Sequence, residues 1–223
     1  MNALMGVLAS SMNADMARLG GVAHNMANAT TPGYKKVFAL PPEVTRGGTV
    51  DRRSGVLSRT GDEFHLAIDG DGFFVAGGDG EPMVTRGGAM KLDSRGRLLF
   101  AQSGRPVRGE GGDIFLAPGA FTVTAAGEVT QGGVPVARLR LVSTKGRTAL
   151  DAMGEGLYRM SGVDSAEPAG GHVRQGYLEM SNVNSAREMV ELMEATRHFE
   201  SVQRAVTGLD AVWEKSLKTL GEF

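Results

Sequence analysis

The residues best suited to chemistry are Asp69 and Asp71, the paired aspartates of the stretch DGDGFFVAGGDGE. Closely spaced aspartates and glycines are typical of calcium-binding loops of the EF-hand type, which need a third oxygen ligand two residues further on and then a glycine. In this chain those two positions are Phe73 and Phe74. We therefore interpret the two aspartates as turn residues and predict no metal site.

No other pattern indicates catalysis. The sequence has no phosphate-binding G-x-x-x-x-G-K-[ST] loop, no G-x-S-x-G nucleophile elbow and no H-E-x-x-H zinc motif. The four histidines, at positions 24, 65, 172 and 198, are scattered, as surface or packing histidines usually are. The chain contains no cysteine, which excludes disulfides, thiolate metal sites and cysteine nucleophiles. We predict that the protein is not an enzyme and binds no cofactor and no small-molecule substrate.

Charge and hydropathy exclude further classes of partner. The 24 basic and 25 acidic residues give a formal net charge of -1, so no basic excess points to nucleic acid. A mild cluster, Arg52, Arg53 and Arg59, lacks interleaved aromatic residues and suits a solvated face or a protein interface better than single-stranded nucleic acid. No apolar run reaches the roughly 20 residues that a membrane helix needs, so we predict no membrane insertion. The start, MNALMGVLASSMNADMARLGG, lacks the basic n-region of a signal peptide, and we expect export, if any, by another route.

Glycine divides the chain into three parts. Of its 33 glycines, 27 lie between Gly47 and Gly176, four precede that span and two follow it. Because glycine weakens helices and serves tight turns, the distribution predicts a helix, a turn-rich middle and a second helix.

Apolar residues recur at steps of three and four at both ends, which predicts two amphipathic helices. Ser185 followed by Glu188 has the spacing of a capping box and predicts the start of the second helix. Uninterrupted to Leu220, that helix would extend roughly 50 Å, so it needs a partner helix, either the N-terminal one or one from another chain. The first apolar stripe is Met1, Met5, Leu8, Met12, Met16, Leu19, Val22 and Met26, and the second is Ala186, Val190, Met193, Phe199, Val202, Val206, Leu209, Trp213, Leu217 and Leu220.

The middle alternates short apolar runs with turns, which is typical of an all-β domain of sandwich or barrel type. We predict strands at 64–68 and 73–76, hairpins around Ser94–Gly96 and Ala126–Gly127, and one strand in VPVARLRLV. Proline and glycine among polar residues predict flexible joints at 40–48 and 163–171. The fold class is therefore mainly β, with long terminal helices that pair as a coiled coil. We divide it into an N-terminal helix and motif (1–36), a linker (37–48), a β domain (49–175) and a C-terminal helical segment (176–223).

Two motifs at opposite ends of the chain resemble one family. HNMANATTPGYKK, at 24–36, is similar to the signature of flagellar rod and hook proteins, approximately A-N-N-[LI]-A-N-x-x-T-x-G-[YF]-K, with His24 where asparagine is usual. GYLEMSNVNSAREMVELMEATRHFESVQRAV, from Gly176, resembles the C-terminal segment of that family, with Thr196 where glutamine is usual. LAIDGDGFF and the stretch 87–99 resemble its middle β domain.

The resemblance implies an axial structural subunit of the flagellar rod that leaves the cell through the flagellar type III export apparatus. It further implies paired terminal helices, an outward β domain, and contacts with copies of itself and with other rod proteins. We expect Asn25 and Asn28 to satisfy helix carbonyls or to bridge to a neighbouring subunit, and Gly33 to end the helix in the left-handed region. Tyr34 would be an anchor, and Lys35 would meet a helix dipole. The residues predicted to carry assembly are Leu8, Met12, Leu19, Val22, Asn25, Met26, Asn28, Thr31, Gly33, Tyr34, Lys35, Ser181, Asn182, Val183, Asn184, Glu188, Met189, Val190, Met193, Arg197, Phe199, Glu200, Val202, Val206, Leu209, Trp213 and Leu217.

Two questions stay open from the sequence. Only 12 residues separate Lys36 from Thr49, and this short connection favours a proximal rod subunit over a distal rod or hook-like subunit. The alternative from another class is a secreted β-domain binding module or hydrolase with helical arms, for which the sequence names no site residues.

Overall fold

The computed structural model describes residues 2–38, 49–78, 80–144, 150–163 and 166–220, and it describes only the backbone at 2, 3, 49, 214–217, 219 and 220. Two helices and eighteen short strands make up these ranges. The helices are α1 (Asn2–Ala27) and α2 (Ser185–Leu220). The strands are β1 (Val37–Phe38), β2 (Thr49–Val50), β3 (Leu57–Arg59), β4 (Leu66–Asp69), β5 (Phe73–Ala76), β6 (Met83–Thr85), β7 (Met90–Leu92), β8 (Leu98–Phe100), β9 (Arg108–Gly109), β10 (Gly112–Asp113), β11 (Phe121–Val123), β12 (Glu128–Gln131), β13 (Val134–Arg138), β14 (Leu141–Val142), β15 (Asp151–Gly154), β16 (Leu157–Arg159), β17 (His172–Gln175) and β18 (Tyr177–Glu179).

The chain forms two compact units. The helix unit comprises Met1–Ala27, Phe38–Arg46 and Asn184–Phe223, and the β unit comprises Asn28–Val37 and Gly47–Val183. The expected arrangement of two terminal helices and a sheet-rich middle is confirmed. The N-terminal motif from residue 28 and the segment 176–183, which we had grouped with the helices, belong to the β unit.

The β unit is built from small antiparallel sheets. The largest has five strands in the order β14-β5-β6-β16-β15, and another has three in the order β11-β12-β13. The predicted hairpins are present, because β7 pairs with β8 and β11 pairs with β12 across tight turns. The single strand expected in VPVARLRLV is wrong, since its residues form β13 and β14 in different sheets.

Two apolar cores lie in the β unit, and β5 contributes to both. Phe74 and Ala76 belong to the larger core, while Phe73 and Val75 belong to the smaller one. Side chains of a strand alternate between its two faces, so a strand between two cores must be apolar throughout. This is why FFVA is an uninterrupted apolar run, and all four residues are buried.

The predicted flexible joint at 163–171 is not seen in the residues described. Val163 is buried in the smaller core, with Ala166 packed against it, and Ala169 N–H donates to Leu141 O at 3.1 Å. The described parts of the segment are tied to the sheet by these contacts, and Pro168 forms a β-bridge with Val142. The other predicted joint, 40–48, lies outside the described residues.

Candidate assembly site

The two helices pack against each other in the helix unit and run in opposite directions. Asp15 Oδ2 lies 2.6 Å from His198 Nδ1, and Asn25 Nδ2 donates to Glu188 Oε2 at 3.1 Å. Between these two contacts α1 advances by ten residues (15 to 25) while α2 goes back by ten (198 to 188). The pairing is therefore antiparallel and in one continuous register.

The facing sides of the helices carry buried and half-buried residues at alternating steps of four and three. This spacing repeats every seven residues on both helices, which is the repeat of helices that pack along a common seam. The residues at this spacing are Leu8, Met12, Asp15, Leu19, Val22 and Met26 on α1, and Glu188, Leu192, Ala195, Phe199, Val202, Val206 and Leu209 on α2.

The predicted apolar stripe of α2 does not pack on α1 over its first three turns. Ala186, Val190 and Met193 are exposed, whereas the buried positions there belong to Glu188 and Ala195. The stripe and the buried face have the same period but differ in phase. A polar residue occupies the first buried position because Asn25 supplies a hydrogen bond to it, and apolar periodicity cannot detect such a position.

Asn184 caps the second helix. Its side-chain Oδ1 accepts a hydrogen bond from Arg187 N–H at 3.1 Å, and its carbonyl accepts one from Glu188 N–H at 2.9 Å. These are the contacts of an N-cap residue. The capping box predicted from Ser185 is therefore wrong, and the carboxylate of Glu188 is directed to Asn25 instead.

The start of α2 displays a second apolar surface. Met189, Val190 and Met193 expose about half of their side chains, at 51%, 49% and 53%. They lie beside the row that packs on α1, so α2 is apolar on two sides over this stretch. On α1, the large exposed apolar residues are Leu4, Met5, Val7 and Met16, of which Met5 and Met16 were expected on the packed stripe.

The N-terminal motif and the C-terminal segment meet in the β unit. Gly33 N–H donates to Glu179 O at 2.7 Å, and Lys36 N–H donates to Asn182 Oδ1 at 2.7 Å. Asn182 N–H reaches Tyr34 O at 3.4 Å. These contacts join residues that are almost 150 positions apart, and we call the joined residues 33–36 and 179–182 the closing joint.

Gly33 fits the closing joint because of its backbone. Its φ is +73°, in the left-handed region, and an added Cβ would lie 2.2 Å from Gly87 N. Both facts require glycine at this position. The expectation that Gly33 ends the helix is wrong, because α1 ends at Ala27. Asn28 and Thr31 form the intervening turn, in which Thr31 N–H donates to Asn28 O at 3.1 Å.

Three charged side chains are buried together at the closing joint. Lys35 and Glu179 are fully enclosed, and Arg86 is nearly so. Lys35 Nζ donates to Glu179 Oε1 and, at 2.7 Å, to Arg53 O. Glu179 Oε2 accepts from Arg86 NH1 at 3.0 Å, and its other oxygen accepts from Gly55 N–H at 2.8 Å. We call Lys35, Glu179 and Arg86 the charge cluster.

Burial dominates the electrostatics of this cluster. It lowers the pKa of the Lys35 ammonium below 10.5, with the carboxylate of Glu179 opposing the change. The expectation that Lys35 meets a helix dipole is wrong, since the carboxylate of Glu179 takes that role. Burial also raises the pKa of the Tyr158 phenol, whose oxygen accepts the Lys35 N–H at 2.8 Å.

Asn182 is a second fixed point of the joint. Its amide nitrogen donates to Asp51 O at 3.1 Å and to Arg53 O at 2.9 Å, while its amide oxygen accepts from Lys36 N–H. One side chain thus ties three backbone segments together. Of the residues predicted for assembly, Gly33, Tyr34 and Lys35 are buried here rather than displayed, so they shape the joint.

The other predicted residues lie in different surroundings. Arg197 and Glu200 are exposed on α2, and Trp213 is partly exposed. Ser181 and Val183 are half-buried in the β unit. The side chain of Leu217 lies outside the described residues. Asp15 was not predicted, although its position seven residues before Val22 indicates the buried face. Arg86 and Tyr158 were not predicted either, and the sequence carries no signal for them.

The described residues offer neither a cluster of metal ligands nor a membrane-spanning helix. Within them, no group of three or more His, Cys, Asp or Glu side chains could hold a metal ion. Neither helix, over the same residues, has a stretch apolar and long enough to cross a bilayer.

Comparison with known proteins places this arrangement in a family. Residues 174–219 match the family model described as flagellar basal body rod FlgEFG protein C-terminal. The chain is 30% identical over 224 residues to the flagellar basal-body rod protein FlgF of Caulobacter vibrioides, with 91% of both chains covered. It is 32% identical over 241 residues to FlgF of Rhizobium meliloti, with 96% of both covered, and 29% identical over 253 residues to FlgG of Bacillus subtilis, with 92% of this chain and 94% of the relative covered. The chain therefore belongs to the family of flagellar basal-body rod proteins.

Proposed function

We propose that this protein is a structural axial subunit of the flagellar basal-body rod, which polymerises through its terminal helices and transmits torque along the flagellum. The observation that carries this proposal is the apolar surface of Met189, Val190 and Met193 beside the row that packs on α1. Apolar patches on a surface mark protein contacts. Other copies of this chain and other rod proteins are the partners that the family suggests.

The helix pair supports assembly by its repeat. Seven-residue spacing on both helices suits a coiled coil, and we propose that α1 and α2 form one in the rod. Residues 1–36 and 176–223 would then be the inner assembly region, and the β domain, of sandwich or barrel type, would face outward. A contact between unlike surfaces on successive copies generates an open helical array.

We further propose that the protein performs no catalysis. One cavity of the β unit has about 490 Å³, and Glu155 is its single titratable lining residue among those described. A hydrolase would need convergent acid, base or nucleophile groups, which this lining does not offer. A secreted binding module or hydrolase is thus the weaker alternative.

The length of one connection in the chain suggests where the subunit lies along the rod. We propose a proximal position because the connection between the N-terminal motif and the β domain is short. The similarity to FlgG as well as FlgF proteins keeps a distal rod or hook-like subunit as the alternative. We propose that the chain reaches the basal body through the flagellar type III export apparatus without a cleavable signal peptide.

Electron microscopy of basal bodies from a strain lacking this chain tests the proposal. Missing rods, together with loss of hook, filament and swimming, are expected for a proximal subunit. A rod that ends early would assign the chain to the distal part. Intact rods and normal swimming would contradict the axial role.

Deletion of Ser185–Phe223 tests whether the β unit folds without α2 and whether polymerisation needs α2. We expect the truncated chain to keep a folded β unit, because the two apolar cores lie within residues 47–183, and to lose polymerisation. Circular dichroism and cooperative urea unfolding measure the first property, and sedimentation or electron microscopy of filaments measures the second. A truncated chain that is largely unfolded would contradict the two-part architecture.

A further inference from the structure

Residues Gly33–Lys36, which we call the N-terminal strap, are held on the β unit by groups from much later in the chain. The strap donates its Gly33 N–H to Glu179 O and its Lys36 N–H to Asn182 Oδ1, both at 2.7 Å. Its Lys35 N–H donates to Tyr158 OH at 2.8 Å. The strap also bonds residues close to it in the chain, since Lys36 O accepts from Asp51 N–H at 2.8 Å and Lys35 Nζ donates to Arg53 O at 2.7 Å. The contacts with Glu179 and Asn182 are those that depend on the last strands of the β unit.

The side chain of Lys35 makes this dependence strong. The ammonium is fully enclosed, and Glu179, 144 positions later, supplies its negative partner. A buried charge without a partner is strongly disfavoured. The strap can therefore dock in its observed conformation only when the carboxylate of Glu179 is already in place.

Arg86, the second cation of the charge cluster, makes docking of Lys35 depend more strongly on Glu179. Arg86 NH1 donates to Glu179 Oε2 at 3.0 Å, and Arg86 NH2 donates to Gly70 O at 2.6 Å, so the guanidinium is fixed by the sheet. Without Glu179, docking of Lys35 would place a second positive charge beside this one. The nearby Asp51 is already paired with Arg53, through contacts of 2.6 to 3.1 Å. Glu179 thus bonds both cations, while Asp51 and Asp71 add electrostatic attraction to Lys35 and Arg86 respectively.

We infer that Glu179 is a conformational lock, which closes the N-terminal strap on the β unit once β18 has folded and whose loss releases the strap while the sheets persist. The strap, Gly55 and Met180 then open and close as one cooperative segment. Gly55 N–H is bonded to the Glu179 carboxylate, and Met180 N–H donates to Val56 O at 2.9 Å. Both groups are released with the strap.

The lock implies an order of folding in which the strap docks after β18 has formed. A chain that lacks the region beyond Gly176 would leave Lys35 without its partner, and its N-terminal motif would stay undocked. The lock acts within the β unit and does not rest on the proposed function.

Limited trypsin digestion of the full-length monomer tests the lock. Trypsin cleaves after lysine and arginine, and the strap contains Lys35 and Lys36, which are protected while it is docked. We expect Glu179→Gln to raise the cleavage rate after these two residues by at least about a hundredfold, the change that corresponds to loss of a buried charge partner. Glu128→Gln, at an exposed position of β12, is the matched control and leaves the rate unchanged. Mass spectrometry identifies the cut, and circular dichroism verifies that the sheets remain.

A folded Glu179→Gln variant whose strap is cleaved at the wild-type rate would overturn the inference. Native-state hydrogen exchange of the wild-type chain provides the second measurement, which remains valid if the variant fails to fold. The amides of Gly33, Lys35, Gly55 and Met180 should exchange with one common opening rate, at least about tenfold faster than amides of β5 and β6. Unequal opening rates within that group, or a common rate equal to that of β5, would equally overturn it.

These results are independent of the rod. Both measurements use the isolated monomer, so loss of polymerisation cannot mimic a released strap. If the strain without this chain builds normal rods, the proposed function fails while the lock can still be demonstrated. If the strap stays closed in Glu179→Gln, the lock fails while the axial role stands.

Discussion

The helix unit and the β unit bury polar groups in opposite ways. The helix unit buries Asp15 against His198 and Asn25 against Glu188, on a seam whose fully buried apolar members are few. The β unit encloses the charge cluster of Lys35, Glu179 and Arg86, whose side chains are at most 2% exposed. The helix unit thus pairs its buried polar groups along a seam, whereas the β unit gathers charged groups in its interior and leaves Arg86 Nε without a hydrogen-bond partner.

This difference shows where each unit obtains its stability. Helices gain most of their stability from packing of an apolar face, and α2 leaves Met189, Val190 and Met193 without such packing in this structure. The β unit gains its stability from its two apolar cores, since β5 is buried on both faces, although Val134 and Val136 of β13 are exposed as well. We expect changes in the β unit to affect folding of the monomer, and changes on the helices to affect assembly.

The largest effect on the monomer is expected from Phe74→Ala. Phe74 is fully buried in the larger core, and truncation of a buried phenylalanine costs about 3–5 kcal/mol. Val202→Ala in the helix seam removes less apolar area and should cost roughly 1–2 kcal/mol. Urea unfolding monitored by circular dichroism measures both. Equal losses would mean that the helix seam is as well packed as the core of the β unit.

The polar seam of the helices should give a smaller effect. Asn25→Ala removes a donor from the buried carboxylate of Glu188, which should cost about 1–3 kcal/mol. The loss should appear in the helical signal and leave the β unit unchanged. Asn13→Ala, at an exposed position of the same helix, is the matched control. If both variants unfold at the same urea concentration, the Asn25–Glu188 contact does not stabilise the pair.

Secondary structure was largely predictable from local chemistry. Glycine content separated the β unit from the helices, and β5 was predicted with its observed bounds because a continuous apolar run between glycine-rich turns specifies a buried strand. The hairpin of β7 and β8 was predictable from Ser94–Gly96, where Gly96 has a φ of +77°. These features depend on a few neighbouring residues.

Phase and partners of polar residues were not predictable. The buried start of α2 contains Glu188, which apolar periodicity assigns to solvent, because its partner Asn25 lies 163 positions away. The closing joint was missed for the same reason. Lys35 was expected at a helix end, yet its ammonium pairs with Glu179 and its backbone N–H donates to the hydroxyl of Tyr158. A single sequence carries no record of such long-range pairs.

The free energy of unfolding should depend on pH through Lys35, which lies in the β unit. Burial lowers the pKa of Lys35 below 10.5 in the folded chain, so the unfolded chain binds this proton more tightly. The contribution of Lys35 to the free energy of unfolding is therefore complete above pH 10.5 and is lost as the pH falls through the lowered pKa. We expect the wild-type chain to gain stability relative to Lys35→Met as the pH rises toward 10.5, and Glu179 limits this gain because it opposes the pKa shift.

Urea midpoints of the two proteins, measured at several alkaline pH values, check this. The variant replaces Lys35 by a side chain of similar length that does not titrate, so groups common to both proteins cancel in the difference. A difference that stays constant, or that falls as the pH rises, would contradict the lowered pKa.

The smallest effect on the monomer, and the most informative one for assembly, is expected from Met193→Gln. Met193 is 53% exposed on α2, and substitutions at such positions usually change stability by less than about 0.5 kcal/mol. If its apolar surface contacts a neighbouring subunit, the polar replacement should weaken polymerisation and swimming while the urea midpoint stays the same. Val136→Gln, at an exposed position of β13, is the control for loss of an exposed apolar side chain. Equal swimming of the two variants would mean that Met193 does not contact a neighbouring subunit. The exposed methionines of α2 would then need an explanation other than assembly.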